Sequence, residues 1–257
     1  MAPLLFVMAL ISCEKKIEEK LTLGFKINDR TLVLEGMTYD PVEENFYFGI
    51  FNKKKIIKVA GDGQFSDFIQ EGQDNVTAIT GINIDQSGHL WFCGSDKGDG
   101  RPTLFQYHLE TGKLIHKFKD ESGRARMFND LTILPNKVIY ITDSFQPAIY
   151  RLDSDSGSLQ FVTNSDFVKS ANGITSSPDG KYVFVSTSNG FARIETLTDS
   201  VTRVTYEAYR IAGIDGLYYY DNSLIGIQNV YFPATVVRYY LNEEKSSVID
   251  AEVLVAD

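Results

Sequence analysis

After residue 20, apolar positions along this chain almost never recur with the 3.6-residue period of a helix. They fall instead into short β-branched and aromatic runs: NFYFGIF (45–51), GHLWFCG (88–94), KVIYITD (137–143), KYVFVST (181–187) and SLIGIQN (223–229). Each run follows a turn, built on Asp40-Pro41, Asp85 to Gly88, Pro135-Asn136, Pro178 to Gly180 and Asp221-Asn222. Pro presets φ, Asp and Asn cap the backbone locally, and Gly permits positive φ, so each turn predicts a hairpin. A short strand precedes each turn (GMTYD, GINID, LTILP, GITSSP, GLYYYD), and a third follows the second, as in LFQYHL (104–109), AIYRLD (148–153) and VVRYYL (236–241).

The turn residues Asp40, Asp85, Asn136, Asp179 and Asp221 lie 45, 51, 43 and 42 residues apart. Four strands per unit at that period predict an all-β chain folded as a β-propeller. Five units are visible, and a sixth turn falls near position 264, beyond Asp257. The expectation is a six-bladed propeller over 22–257 lacking most of its last blade; the alternative is a closed five-bladed ring. Residues 21–33 are expected to lend a strand to the closing blade.

The innermost strand of each blade lines the central channel, so polar residues at matching points of the repeat converge there. These are Glu35, Asn129, Asp130, Asn172 and Asp215. Carboxylates and amides without His or Cys form a hard oxygen site, suited to Ca²⁺ or Mg²⁺. A cation would also relieve repulsion between Glu35 and Asp215. Taken singly, each residue also fits an ordinary strand-end turn.

Composition narrows the field. The chain has 257 residues and a net charge of −9. Nucleic acid needs a basic patch, and the longest basic run is Lys53 to Lys55, which reads as a solvated turn. The first twelve residues are uncharged and read as a signal peptide too short to span a membrane. Leu10-Ile11-Ser12-Cys13 resembles a bacterial lipobox, so Cys13 is expected to carry lipid, with 13–21 as a tether. That places the protein outside the cell membrane or in the periplasm, held to the membrane by its lipid alone, as a monomer. Cys93, in LWFC, reads as a buried inert thiol. His89, His108 and His116 read as strand residues. The chain carries no G-x-S-x-G elbow, P-loop, C-x-x-C or H-E-x-x-H.

The stretches LEGMTYDPVEENFYFG, FNDLTIL, ANGITSSPDGKYVFVS and GIDGLYYYDNSLIGIQN resemble the senescence-marker-protein/gluconolactonase family, with paraoxonases as more distant relatives. The resemblance implies a propeller with one divalent metal held by Glu35, Asn172 and Asp215, Ca²⁺ first and Mg²⁺ or Zn²⁺ as other candidates. It puts Asn129 on the substrate side. The family's Arg stands two residues before that Asn; here that residue is Met127, and Arg126 lies one further back. Strand alternation turns Arg126 to the other side, and Arg126 stands with Asn129 as the substrate-binding candidates. Two functions follow. One is a metal-dependent hydrolase of small lactones or esters, with Asp215 as ligand and general base. The other is a non-catalytic binding propeller.

Overall fold

The computed structural model describes residues 23–256 except 125, 155–156, 208–210 and 231. The signal peptide, Cys13 and the tether lie outside the described residues.

The turns form as their chemistry dictates. Asp40, Asp85, Asn136 and Asp179 each accept a hydrogen bond from the backbone N–H two residues on, at 2.8–3.2 Å. Between them lie five four-stranded antiparallel sheets, each a simple meander. The first blade is β1 (Leu34–Asp40), β2 (Asn45–Ile50), β3 (Lys55–Val59) and β4 (Phe65–Ile69). The second is β5 (Val76–Ile84), β6 (His89–Asp96), β7 (Pro102–His108) and β8 (Leu114–Lys119). The third is β9 (Phe128–Ile133), β10 (Val138–Asp143), β11 (Ala148–Asp153) and β12 (Ser158–Thr163). The fourth is β13 (Ile174–Ser176), β14 (Tyr182–Thr187), β15 (Gly190–Glu195) and β16 (Ser200–Val204). The fifth is β17 (Ile214–Tyr220), β18 (Ser223–Gln228), β19 (Thr235–Leu241) and β20 (Val248–Ala256).

The molecule is therefore an all-β propeller of five blades, the count of the alternative and not six. The reason lies in the last residues. DAEVLVA does not begin a further unit: it forms most of β20, which pairs with β19 from Val248–Leu241 to Ala256–Thr235 and completes the fifth blade.

Core packing runs between blades. One apolar cluster joins blades one and two through Tyr47, Ile56 and Phe92, and a second joins two and three through Trp91, Cys93 and Leu131. Others join three to four through Tyr140 and Val183, and four to five through Phe184 and Leu217. The fifth cluster is different. It lies on blade one, where Phe48, Ile50, Ile57 and Val59 are covered by Phe25, Ile27 and Leu32. Residues 23–33 thus form no strand; they cap the blade with side chains instead. Phe25 sits 5.0 Å from Phe46, centroid to centroid, in a tilted pair.

The inner strands show the same asymmetry. A Cβ on Gly81 would strike Asp130, and one on Gly173 would strike the backbone of Asp215 and Leu217, so these blades meet at backbone distance. At the matching Gly216, the nearest group among the described residues is Ile227 of the same blade, at 3.5 Å. On that face Tyr218, Tyr220 and Ile227 are exposed.

Candidate channel site

Hydroxyls and one carboxylate stitch the inner strands together. Thr80 donates to the Phe128 carbonyl at 3.0 Å, and Thr142 to the Asn172 carbonyl at 2.7 Å. Thr175 accepts from the Tyr219 N–H at 3.1 Å. Asp130 bridges two blades: its Oδ1 accepts from its neighbour Leu131 N–H at 2.9 Å and its Oδ2 from Ile174 N–H at 3.1 Å. These links tie the inner strands of successive blades to one another.

Asn172 and Asp215 come together directly, with Asn172 Nδ2 donating to Asp215 Oδ1 at 2.8 Å. Asn229, just past β18, donates to the other oxygen, Oδ2, at 2.6 Å. Both oxygens of Asp215 are thus held by amides, and the Asn172 side-chain oxygen keeps its lone pairs. Glu35 sits on β1, and its carboxyl is raised above the ordinary range by desolvation and then by the charge of Asp215. Asp130 is raised further, to about 7. Burial is the main cause there, opposed by its two backbone hydrogen bonds and reinforced by Asp215 and Glu35. The three carboxyls feel one another electrostatically, yet among the described residues no cluster of three or more His, Cys, Asp or Glu is assembled as a metal cage.

Asn129 donates to Ser144 Oγ at 2.7 Å, and Ser144 passes the link to the Ala171 carbonyl at 2.8 Å. Arg126 goes elsewhere. Its Nε lies 3.3 Å from Asp120 Oδ2 and its guanidinium 4.4 Å from the Tyr150 ring centroid. It lines a pocket of about 500 Å³ on the outer part of blade three with Arg124, Gln146 and Phe161. Asn229 is the site residue that sequence spacing did not single out. Its only signal was its place at the end of the GIDGLYYYDNSLIGIQN stretch.

No family model and no curated protein sequence matches the chain. Solved structures do. A gluconolactonase from Xanthomonas campestris superposes with a TM-score of 0.66 at 15% identity, over 86% of this chain and 76% of that one. The chain shares the gluconolactonase propeller fold. A second protein, assigned as a gluconolactonase, gives 0.60 at 18% identity, over 87% of this chain and 78% of that one. The structure of a nidogen/laminin complex matches equally well, with 0.66 at 13% identity over 86% and 80%. The fold is thus common to gluconolactonases and to a protein–protein assembly, and the site must decide between them. Among the described residues, no helix is long and apolar enough to cross a membrane.

Proposed function

We propose that this chain is a divalent-metal-dependent hydrolase of small lactones or esters, working at the mouth of its channel. The observation that carries the reading is Asp215, held by Asn172 and Asn229, with Glu35 and Asp130 close enough that the Asp215 charge helps to raise both of their carboxyls. Such a set is electrostatically incomplete, and its donors are hard oxygens, which fits Ca²⁺ in the first place and Mg²⁺ or Zn²⁺ after it. Glu35, Asn172 and Asp215 are the residues to hold the cation. Bound there, a cation would supply charge balance and polarise a carbonyl as a Lewis acid.

The chain's own residues divide the remaining work. Asp215 accepts the proton of the attacking water as the water oxygen joins the carbonyl carbon, and returns it to the departing alkoxide. Asn229 keeps the Asp215 carboxylate in one orientation. Asn129, fixed by Ser144, offers its side-chain oxygen to a substrate hydroxyl. Arg126 is engaged by Asp120 and Tyr150, so substrate recognition in the channel falls to Asn129.

The test is a lactone and aryl-ester panel assayed in chelator and with each cation restored. Turnover that returns with one cation and disappears in Asp215→Asn supports the reading; turnover indifferent to chelator, or none across the panel, sinks it. The binding-propeller reading rests on the nidogen/laminin match, and stoichiometric ligand uptake without turnover would favour it. We further propose that Cys13 is lipidated and anchors the domain outside the membrane. Intact-mass measurement of membrane-derived protein checks this, and a mature chain beginning elsewhere would refute it.

A further inference from the structure

Every histidine of the chain lies on one face of the second blade. His89 opens β6, His108 ends β7 and faces His89 directly across the ladder, and His116 on β8 pairs with Gln106. Side chains two residues apart share a face, so Gln106 and His108, and with them all three imidazoles, point the same way. The His89 and His108 rings are 5.4 Å apart, centroid to centroid, at 87°.

Asp85, in the turn between β5 and β6, controls the first of these rings. Its Oδ2 accepts from Trp91 Nε1 at 2.8 Å and meets His89 Nδ1 at 3.0 Å. Its Oδ1 accepts from the backbone N–H groups of Ser87 at 2.8 Å and His89 at 3.0 Å. Burial alone would raise this carboxyl, but the hydrogen bonds from Trp91, His89 and Ser87 hold it below the ordinary range. An ionised carboxylate only accepts, so His89 Nδ1 carries a proton toward Asp85, which leaves Nε2 as the ring nitrogen turned to a metal. A carboxylate on the far N–H is how proteins orient and enrich an imidazole ligand for a metal.

We propose that His89 and His108 form a surface site for a divalent transition cation, Zn²⁺ foremost, with Asp85 as the positioning residue. Imidazole nitrogens suit zinc, where the oxygens of the channel suit harder ions. Two imidazoles on one tetrahedral zinc, with Zn–N bonds of about 2.0–2.1 Å, place their centroids about 5 Å apart, against 5.4 Å here. The His89 side chain is 25% exposed and His108 is exposed, so an ion reaches both from solvent and water completes the shell. The site lies by the β5–β6 turn on the two middle strands of the blade, apart from the channel strand β5, and depends on no part of the hydrolase reading.

The experiment uses the whole protein in excess Ca²⁺, so that any hard-oxygen site is filled first. Zn²⁺ affinity is measured by competition with a chromophoric chelator, and histidine Cε1–H signals are followed during substoichiometric Cu²⁺ addition. One Zn²⁺ per chain is expected. His89→Gln and His108→Gln should each weaken it at least about tenfold, and Asp85→Asn about 10–100-fold. His116→Gln should leave it unchanged. Cu²⁺ should broaden the His89 and His108 signals before that of His116, and ¹⁵N shifts should show His89 protonated on Nδ1. Unchanged Zn²⁺ affinity in His108→Gln, whose exposed side chain leaves folding intact, would overturn the proposal. So would equal broadening of all three histidines, or a His89 protonated on Nε2 alone.

Discussion

Asn172 donates its side-chain N–H to Asp215 across the joint between the fourth and fifth blades, at 2.8 Å. The two residues lie 43 positions apart, one repeat, so the contact joins the same point of successive blades. It ties the channel site to the joint between these blades and makes Asp215 the residue whose change is most informative.

Asp215→Asn is expected to lower hydrolysis by about 10²–10⁴-fold, the span of a lost general base. The substitution keeps the shape and leaves the apolar clusters untouched, so thermal unfolding should move little. Paired turnover and melting curves check it; loss of both together would mean that Asp215 serves the fold.

Stability should fall with rising pH in cation-free buffer. Asp130 has an ordinary value of 3.8 and stands at about 7 in the folded chain, so the folded state binds the extra proton between those limits. Stability then declines as pH climbs through that window and levels off above it. Glu35 acts in the same direction. Asp85, Asp96 and Asp179 are shifted the other way, and their contribution is lost only as pH drops below the ordinary range. Melting temperature measured from pH 5 to 8 checks the slope, and Ca²⁺ should flatten it.

Two glycine substitutions probe the joints. Gly81→Ala drives a methyl into Asp130 and should cost about 1–3 kcal/mol, as overpacking does. Gly216→Ala meets only Ile227 at 3.5 Å and should stay within about 0.5 kcal/mol. Urea unfolding of the two variants gives the comparison; equal losses would show that the fifth blade is as tightly joined on that side as the second.

Phe25→Ala is expected to destabilise by about 1–3 kcal/mol, because the ring covers Phe46 and Phe48 while staying partly exposed. Chemical denaturation reads it directly. A neutral result would mean that residues 23–33 do not hold their place on blade one.

Much of this was legible in the sequence. The runs at 45–51, 137–143, 181–187 and 223–229 match β2, β10, β14 and β18 to within a residue, because Asp, Asn and Gly turns mark where each strand must begin. The repeat also brought Asn172 and Asp215 together. Arg126 lies before β9 begins at Phe128, so strand alternation does not govern it; an ion pair with Asp120 and the Tyr150 ring hold its side chain instead. Other features have no periodic signal. Phe25, Ile27 and Leu32 act through side-chain burial without a ladder, so they look like a strand and are not one. Asn229 follows a strand with no motif of its own. The His89–His108 pair depends on the register of β6 against β7, which spacing alone does not fix.

The exposed flank at Gly216 makes the meeting of the fifth blade with the first the lightest-packed place in the ring among the described residues. Four successive joints are locked by apolar packing, and small rotations at each would add up at the remaining one. Glu35 belongs to the first blade and Asp215 to the fifth, and the charge of Asp215 reaches Glu35 across that meeting. An ion gripped by both would therefore be a clasp as well as a reagent, setting the bore of the channel by drawing the two ends of the chain toward each other.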